Sequence, residues 1–433
     1  MGNVTLKSGD AVLFERGGVY RGTLTLTAGV TYGAYGTGNK PILTQSEKNY
    51  AVESLWVETE WENVWKCTDK LTNVGVIAFD HDVQDYSDAC YDELYGIIMN
   101  KDLFDVTGPE SLCGDLQFYS DIEAGLSTAG DLYVYSTGGN PGTRFSSIEI
   151  GEKTNILTGT ANNVVIDNIS FKFVGGHGMG GAGGCEERYV TNCIWSWIGG
   201  SVLSKDFHGT GRVVNYGNAV EVYGGCNGYY VENNWMYQIY DTAVTHQRSG
   251  STGDCIQENI SYSQNLMEYC FWGIEFYNAP PSASQLEAAG KTEDDYTRIT
   301  RNVMSDYNFM LLGGYGWGSI VRYRLSLLYC GSTLSENYDC YAKYNIFDRA
   351  TGSMLHLREN SNEVEDSNIY IQTIGRPWGT LKGDYVTYCD FNSVSNIRDL
   401  WGDQNAVIVL IDPEYEPVAL DIPDGLANKN YLF

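Results

Sequence analysis

Short runs of alternating apolar and polar residues, separated by turn residues, fill most of this 433-residue chain. Such alternation is typical of β-strands with one buried face. In the middle and C-terminal parts, an Asn or Asp opens run after run. The members are Asn168, Asn192, Asn234, Asn259, Asn302, Asn345, Asn368 and Asp390. Their spacings of 24, 42, 25, 43, 43, 23 and 22 residues lie near one or two periods. A period of about 22 residues predicts a solenoid.

The repeat predicts an all-β chain folded as a parallel β-helix, with buried asparagines stacked at one corner of successive coils. Residues 1–45 alternate and are expected to form opening coils. The period is missing from 46–147, which is acidic and aromatic and predicts an inserted β-rich subdomain. It returns over 148–400, the predicted main helix, and 401–433 is expected to cap the last coil. The longer spacings put loops on the coils, and such loops commonly shape a binding cleft.

Several segments also carry a family resemblance. The segments are GDAVLFERGGVYRG, YGTGNKPIL, VVIDNISF, VTNCIW, GNAVEVYGG and VENNWMYQIYDTAVTHQ. They resemble the right-handed parallel β-helix proteins of the pectate-lyase-like superfamily, and within it the bacterial glycoside hydrolases. The resemblance covers most of the chain outside 46–147 and implies a right-handed helix that acts on carbohydrate. That superfamily also includes lyases, epimerases and non-catalytic phage proteins, so the fold leaves the reaction open.

The charge narrows the range of partners. The chain has 27 Lys and Arg against 55 Asp and Glu, a formal net charge of −28. This charge repels nucleic acid and anionic membranes, and it disfavours a polyanionic substrate unless a cation bridges it. There is no apolar run long enough to predict a membrane span. The 11 cysteines are scattered without metal-site spacing, and they predict buried thiols rather than a disulfide framework or a zinc site.

The first residues bear on localisation. MGNVTLKSGD is polar and is no signal peptide. Strand-like alternation starts almost at once, which favours a longer native N-terminus or a partner subunit that covers the first coil. If a signal peptide has been removed, the protein is extracellular or on the cell surface; otherwise it is cytoplasmic.

Five short runs align as strands of one face. They are AVEVY (219–223), AVTHQ (243–247), GIEFY (273–277), FMLLG (309–313) and SMLHL (353–357). The second positions are apolar and predicted to face inward: Val220, Val244, Ile274, Met310 and Met354. The third positions then face outward: Glu221, Thr245, Glu275, Leu311 and Leu355. Glu221 and Glu275 are thus expected on one exposed face, two coils and about 9–10 Å apart.

Two carboxyl groups at such a separation suit glycoside hydrolysis, in which one protonates the leaving oxygen and the other activates water. Aromatic neighbours disfavour a charge, so one glutamate is expected to act as the acid. Asp241 is the rival carboxylate, although an Asp before a Thr also caps turns. A solvated glutamate on a strand face is the plain alternative for the pair.

Other residues near these runs are candidates to contact a sugar. His177 lies in a glycine-rich stretch, GGHGMGGAGG, where glycines would let a sugar approach closely, and Trp317 lies in the predicted loop GGYGWGS. The full set of predicted substrate-binding residues is His177, His208, Asn218, Tyr223, His246, Gln247, Tyr277, Trp317 and Arg358. The clustered aromatics are expected to line subsites, or to pack in the core.

The function predicted from these residues is hydrolysis of a neutral or amino-sugar glycan. No cofactor or metal is required for it. The first alternative is a lyase acting on a uronide polymer with Ca²⁺, for which the acidic run FDHDVQDYSD (Asp80, Asp82, Asp85 and Asp88) is a weak candidate site. The second alternative is a glycan-binding helix without turnover.

Overall fold

The computed structural model describes residues 4–80, 107–317 (apart from 182, 210 and 212), 326–330, 337–356, 363–381, 384–389, 398 and 402–415. Regular structure in these ranges is nearly all β. The α-helices there are short, at Pro141–Arg144 and Ala283–Ala289. Single 3-10 turns occur at Glu53–Leu55, Pro109–Ser111, Phe207–Gly209, Glu293–Asp295 and Pro413–Tyr415. None of the described helices is long and apolar enough to cross a membrane.

Three long sheets dominate the described ranges. The first is parallel and contains Ala11–Glu15, Thr31–Tyr35, Val164–Asp167, Cys185–Thr191, Cys226–Glu232, Cys255–Ser263, Arg298–Asp306, Asn337–Lys343 and Glu363–Asp366. The second is also parallel and contains Val19–Arg21, Ile42–Thr44, Ser170–Val174, Ile194–Ile198, Trp235–Ile239, Leu266–Glu268, Phe309–Gly313, Ile346–Ala350, Ile369–Thr373 and Val407–Ile411. The third contains Val220–Tyr223, Thr242–Arg248, Trp272–Asn278, Ser326–Cys330, Ser353–His356, Pro377–Leu381 and Asp384–Tyr388.

The chain passes from the first sheet to the second and then to the third, and each circuit adds a strand to the neighbouring strand of the previous circuit. The pair Leu24–Thr25 and Leu157–Thr158 extends the third sheet toward the N-terminus, because Met179 bridges Leu157 to Val220. Among the described strand pairs of the third sheet, the last pair is antiparallel and the others are parallel. This order is consistent with the predicted parallel β-helix.

Alternation along the strands builds one continuous core. Inward residues of all three sheets, from Phe14 to Ala406, form a single buried apolar cluster. Burial of these side chains is the main favourable contribution to folding. Because side chains on a strand alternate, each inward position leaves its two neighbours on the outer wall.

The predicted asparagine ladder exists, but with different members. Each Oδ1 accepts the backbone N–H and the side-chain amide of the preceding member; Asn234, for example, donates both to Asn265 at 3.0 and 3.1 Å. The buried ladder is Asn234, Asn265, Asn308, Asn345 and Asn368, and it ends on Asp403. Of the predicted members, Asn234, Asn345 and Asn368 are correct, and Asp390 lies outside the described residues.

The other predicted members have a different role. Asn168, Asn192, Asn259 and Asn302 all have a left-handed backbone, with φ between 53° and 64°. Asn tolerates this conformation better than other non-glycine residues. Asn168 and Asn192 lie just before the corner that carries the ladder, whereas Asn259 and Asn302 lie within strands of the first sheet. Asn thus marks two distinct structural positions in this chain.

The stretch predicted as an insertion forms antiparallel sheets. Trp56–Glu58, Val64–Cys67, Leu132–Tyr135 and Phe118–Ser120 make one sheet, and Val76–Phe79 pairs with Ile148–Gly151. A second apolar cluster joins these strands to Trp197, Tyr237 and Tyr240 beside the second sheet. The pair Val202–Ser204 and Val214–Asn215 lies in the long loop before the third sheet. At the other end, Val407–Ile411, which lies beyond the predicted division at 400, is a strand of the second sheet.

Candidate active site

The third sheet confirms the predicted register of its first three strands. Val220 pairs with Val244, and Val244 pairs with Ile274. Glu221 and Glu275 consequently lie in one row, with Thr245 between them. Two strand spacings separate the backbones of the two glutamates by about 9–10 Å. Their flanking residues Val220, Val244 and Ile274 belong to the core, so the row lies on the outer wall.

The predicted register fails beyond these three strands. Met310 is in the second sheet, where it pairs with Met267 and Phe347, so Leu311 is not part of the row. The next strand of the third sheet is Ser326–Cys330, and Leu328 pairs with Leu355. Leu355 therefore continues the inward row of Ile274, and His356 takes the outward position that was predicted for Leu355. His356 is buried.

The plain alternative required the two glutamates to be solvated, and they are not. Each is only 6% exposed, and Thr245 between them is fully buried. A carboxyl group so removed from water needs hydrogen-bond partners to be tolerated. The partners come from the turns that enter the third sheet and from the next outward row.

A continuous hydrogen-bond network links the two glutamates. Asn218 donates from Nδ2 to Oε2 of Glu221 at 2.6 Å, and its Oδ1 accepts the backbone N–H of Thr242 at 3.0 Å. The Thr242 hydroxyl donates to Oε2 of Glu275 at 3.1 Å. Gln247 donates to the same Oε2 at 2.6 Å, and its Oε1 accepts from the Tyr277 hydroxyl at 2.9 Å. Asn218, Gln247 and Tyr277, all predicted from the sequence, thus lie together in one site.

His177 joins this network at the Glu221 end. Its Nδ1 accepts the backbone N–H of Asn218 at 3.0 Å, so the proton of the neutral ring is on Nε2. Nε2 faces Oε2 of Glu221 at 3.6 Å. The ring also meets the edge of Tyr216, with 4.7 Å between ring centroids. His177 is therefore oriented by Asn218 so that Nε2 faces Glu221.

The glycines around His177 have a structural reason. A Cβ at Gly180 would lie 2.9 Å from the His177 ring, and one at Gly178 would lie 2.5 Å from the carbonyl oxygen of Ala219. Both contacts are too short. The glycine-rich stretch lets successive circuits approach and makes room for the imidazole, so close approach of a sugar is not needed to explain it.

Asp241 lies at the entrance to its strand, where its backbone N–H donates to Gly217 O at 3.2 Å. Burial raises the pKa of Tyr277 far above its usual range, and the charges of Glu275, Tyr223, Glu221 and Asp241 raise it further. All three candidate carboxylates therefore contribute to the electrostatic environment of the Tyr277 hydroxyl.

One further predicted residue, Tyr223, lies at the rim of this wall. The Tyr223 hydroxyl is 3.1 Å from Oγ of Ser249, and the guanidinium of Arg248 lies 5.5 Å from the centre of the Tyr223 ring. Tyr223, Gln247 and Tyr277 share one outward row beside the carboxylate row. The wall therefore carries a polar and aromatic edge beside its acids.

His246 is not on this wall, which corrects its predicted contact with sugar. It alternates with Thr245 and Gln247 and therefore points to the core side of the third sheet, where it is 1% exposed. Its Nδ1 lies 2.8 Å from the Tyr262 hydroxyl, and its ring stacks on Phe276. Burial lowers the pKa of His246 to about 3, so it stays neutral near pH 7.

Trp317 is also not where the sequence predicted it. It is 1% exposed and belongs to the apolar cluster between the helix and the inserted strands. Its backbone N–H and Nε1 donate to Oε1 and the carbonyl oxygen of Gln238 at 3.1 and 2.7 Å. Trp195, Trp197 and Tyr237 are likewise buried, so these aromatics serve packing.

Several remaining predictions lie outside what the structure describes. These are the side chain of His208, all of Arg358, and the acidic residues Asp82, Asp85 and Asp88. Asp80 is described, and it accepts from the backbone and hydroxyl of Ser146. Across the described ranges, no cluster of His, Cys, Asp and Glu is arranged to hold a metal ion.

The structure adds two residues that the sequence did not suggest. Thr242 connects Asn218 to Glu275, and Tyr216 packs against His177. Burial, with a further contribution from Glu221, raises the pKa of Tyr216 to about 12. Thr242 is the first residue of its strand, and Tyr216 lies in the loop before Val220–Tyr223. The alternating pattern therefore singles out neither residue.

Comparison with known proteins finds no matching family model and no matching curated sequence. Among solved structures, the chain is similar to XylC in complex with xylose, with 11% identity, a TM-score of 0.39 and coverage of 86% of this chain. It is also similar to a GH136 lacto-N-biosidase from Eubacterium ramulus, with 13% identity, a TM-score of 0.33 and coverage of 93%. The matched part spans 62% of each of those chains. At TM-scores below 0.5, these likenesses carry no weight for the fold or the chemistry of this chain.

Proposed function

We propose that this chain is a right-handed parallel β-helix and a glycoside hydrolase, with Glu221 and Glu275 as its acid and base. The observation that carries the proposal is the row of buried carboxylates on the outer face of the third sheet. Two carboxylates lie in one row two strands apart, each held by side-chain donors, and one network connects them. A solvated strand face has no need for such an arrangement.

The chemistry follows from the spacing. One glutamate donates a proton to the glycosidic oxygen, which leaves with the broken C–O bond. The other removes a proton from the water that attacks the anomeric carbon, and the products are two sugars with one molecule of water added. Backbones about 9–10 Å apart bring the two carboxyl groups into the range of paired-carboxylate hydrolysis. Asp241 is the reserve for either role.

The proposed substrate is a neutral or amino-sugar glycan. Among the described residues, the basic group within ion-pair distance of Glu221 is His177, and no Lys or Arg reaches it. A uronide carboxylate would therefore meet an acidic wall. His177, Tyr223, Gln247 and Tyr277 are the proposed sugar contacts; His208 and Arg358 remain predictions from the sequence.

The test is a panel of neutral, N-acetylated and uronide oligosaccharides incubated with the purified chain. The proposal expects new reducing ends from a neutral or amino-sugar member, with no ultraviolet absorbance of an unsaturated product. Absorbing uronide products that disappear in chelator would establish the calcium-dependent lyase instead. Binding without either product would establish a glycan-binding protein. Both of these outcomes would refute the proposal.

A further inference from the structure

A buried cation that the proposed mechanism does not use lies on the inner side of the first sheet. Arg188 pairs with Val164 on one circuit and with Tyr229 on the next. Both neighbours belong to the apolar core, and Arg188 itself is only 4% exposed. The left-handed backbone at Glu187, with φ of 48°, lets Cys185 and Arg188 both face inward although they are an odd number of positions apart.

The guanidinium of Arg188 is poorly satisfied by the protein. Its Nη2 donates to the carbonyl oxygen of Ala161 at 3.2 Å. Its buried Nε has no acceptor among the described residues, and no described carboxylate lies within ion-pair distance. A buried charge is strongly unfavourable unless an opposite charge and hydrogen bonds compensate for it. This cation therefore calls for a negative partner.

The groups around it are neutral donors. The Tyr229 hydroxyl is fully buried and has no hydrogen-bond partner in the described part of the chain. Cys185 and Cys226 occupy paired positions beside Arg188. Burial raises the pKa of both thiols and of Tyr229, and the charge of Glu221 raises that of Tyr229 further; these effects exceed the opposing effect of the Arg188 charge. All three groups are protonated near pH 7, so none supplies the missing charge.

We propose that the interior of the first sheet holds a small monovalent anion, such as chloride, between Nε of Arg188 and the hydroxyl of Tyr229. One anion balances one guanidinium, and both unpartnered donors gain an acceptor. Arg188 and Tyr229 lie on adjacent strands about 4.8 Å apart, which favours a monatomic ion over a larger oxyanion. The site is independent of the proposed hydrolase function.

Bromide provides the direct test, because it replaces chloride and scatters anomalously. Crystals soaked in sodium bromide should show one buried anomalous peak at hydrogen-bonding distance from Nε of Arg188 and the Tyr229 hydroxyl. In solution, the wild-type chain should melt about 3 °C higher in chloride than in the bulky anion gluconate at equal ionic strength, if the ion is about 100-fold above its dissociation constant.

Two variants locate the effect. Arg188→Met should abolish the difference between chloride and gluconate. Arg301→Met is the control, because Arg301 also lies on the first sheet but its Nε donates to a carboxylate oxygen of Glu258 at 2.6 Å. It should keep the chloride effect. A chloride effect that survives Arg188→Met would overturn the assignment. If that variant does not fold, the bromide map of the wild type decides alone, and the lack of a peak at Arg188 refutes the proposal.

Discussion

Replacing Asn308 by Ala should destabilise the helix strongly, because this residue is an interior member of the buried ladder. Its Oδ1 accepts from the backbone and side chain of Asn265, and its Nδ2 donates to Tyr262 O and to Oδ1 of Asn345. The variant loses all four bonds, each of which contributes about 1 kcal/mol. It also leaves a buried N–H without an acceptor, at a further cost of about 1–3 kcal/mol. The expected loss of unfolding free energy is therefore about 5–7 kcal/mol.

The matched control is Asn302→Gly. Asn302 belongs to the positions with a left-handed backbone, and its side chain bonds Asn259 on the exposed surface. Glycine keeps the backbone conformation at little cost, so the expected change is within about 1 kcal/mol. Urea denaturation of both variants, followed by circular dichroism, measures the difference. Equal destabilisation by the two substitutions would refute the register of the ladder.

Three further predictions concern the site and its surroundings. His246 has a folded-state pKa of about 3, below the unfolded value of about 6.5, so its stabilising contribution is complete above pH 6.5 and is lost as the pH falls toward 3. In that pH window, His246→Gln should reduce the slope of unfolding free energy against pH by about 1.4 kcal/mol per pH unit. An unchanged slope would contradict the burial of a neutral imidazole. Asn218→Ala removes the hydrogen bond to Glu221. On the glycan that the panel identifies, it should lower kcat about 10- to 100-fold with little change in KM. A change in KM alone would mean that Asn218 only binds substrate. Trp317→Phe should cost about 1 kcal/mol of stability through the lost Nε1 bond, and a rise in KM without loss of stability would restore its predicted contact with sugar.

The sequence predicted the all-β, parallel-sheet organisation and the central row because the physics there is local. Alternation alone put Val220, Val244 and Ile274 inward and Glu221 and Glu275 on the outer wall. The same alternation also places His246 inward, so that error could have been avoided from the sequence.

The rest required three-dimensional information. Asn favours both a stacked corner and a left-handed backbone, so Asn302 and Asn308 cannot be separated by residue type. Loops of unequal length shifted the last aligned runs, which moved Met310 into another sheet and His356 into the row. The burial of Trp317 depends on its packing beside the inserted strands, to which no local pattern points.

The turnover of Glu221→Gln and Glu275→Gln on a hydrolysed glycan tests the central claim most directly. Both substitutions keep the shape of the side chain and remove its proton chemistry. Glu232→Gln on the first sheet, where the carboxylate accepts from Ser261, is the matched control. The account predicts that each site variant folds normally and loses about 10²–10⁴-fold in kcat, whereas the control keeps the wild-type rate. Wild-type rates in both folded site variants would show that the paired carboxylates do not perform the reaction.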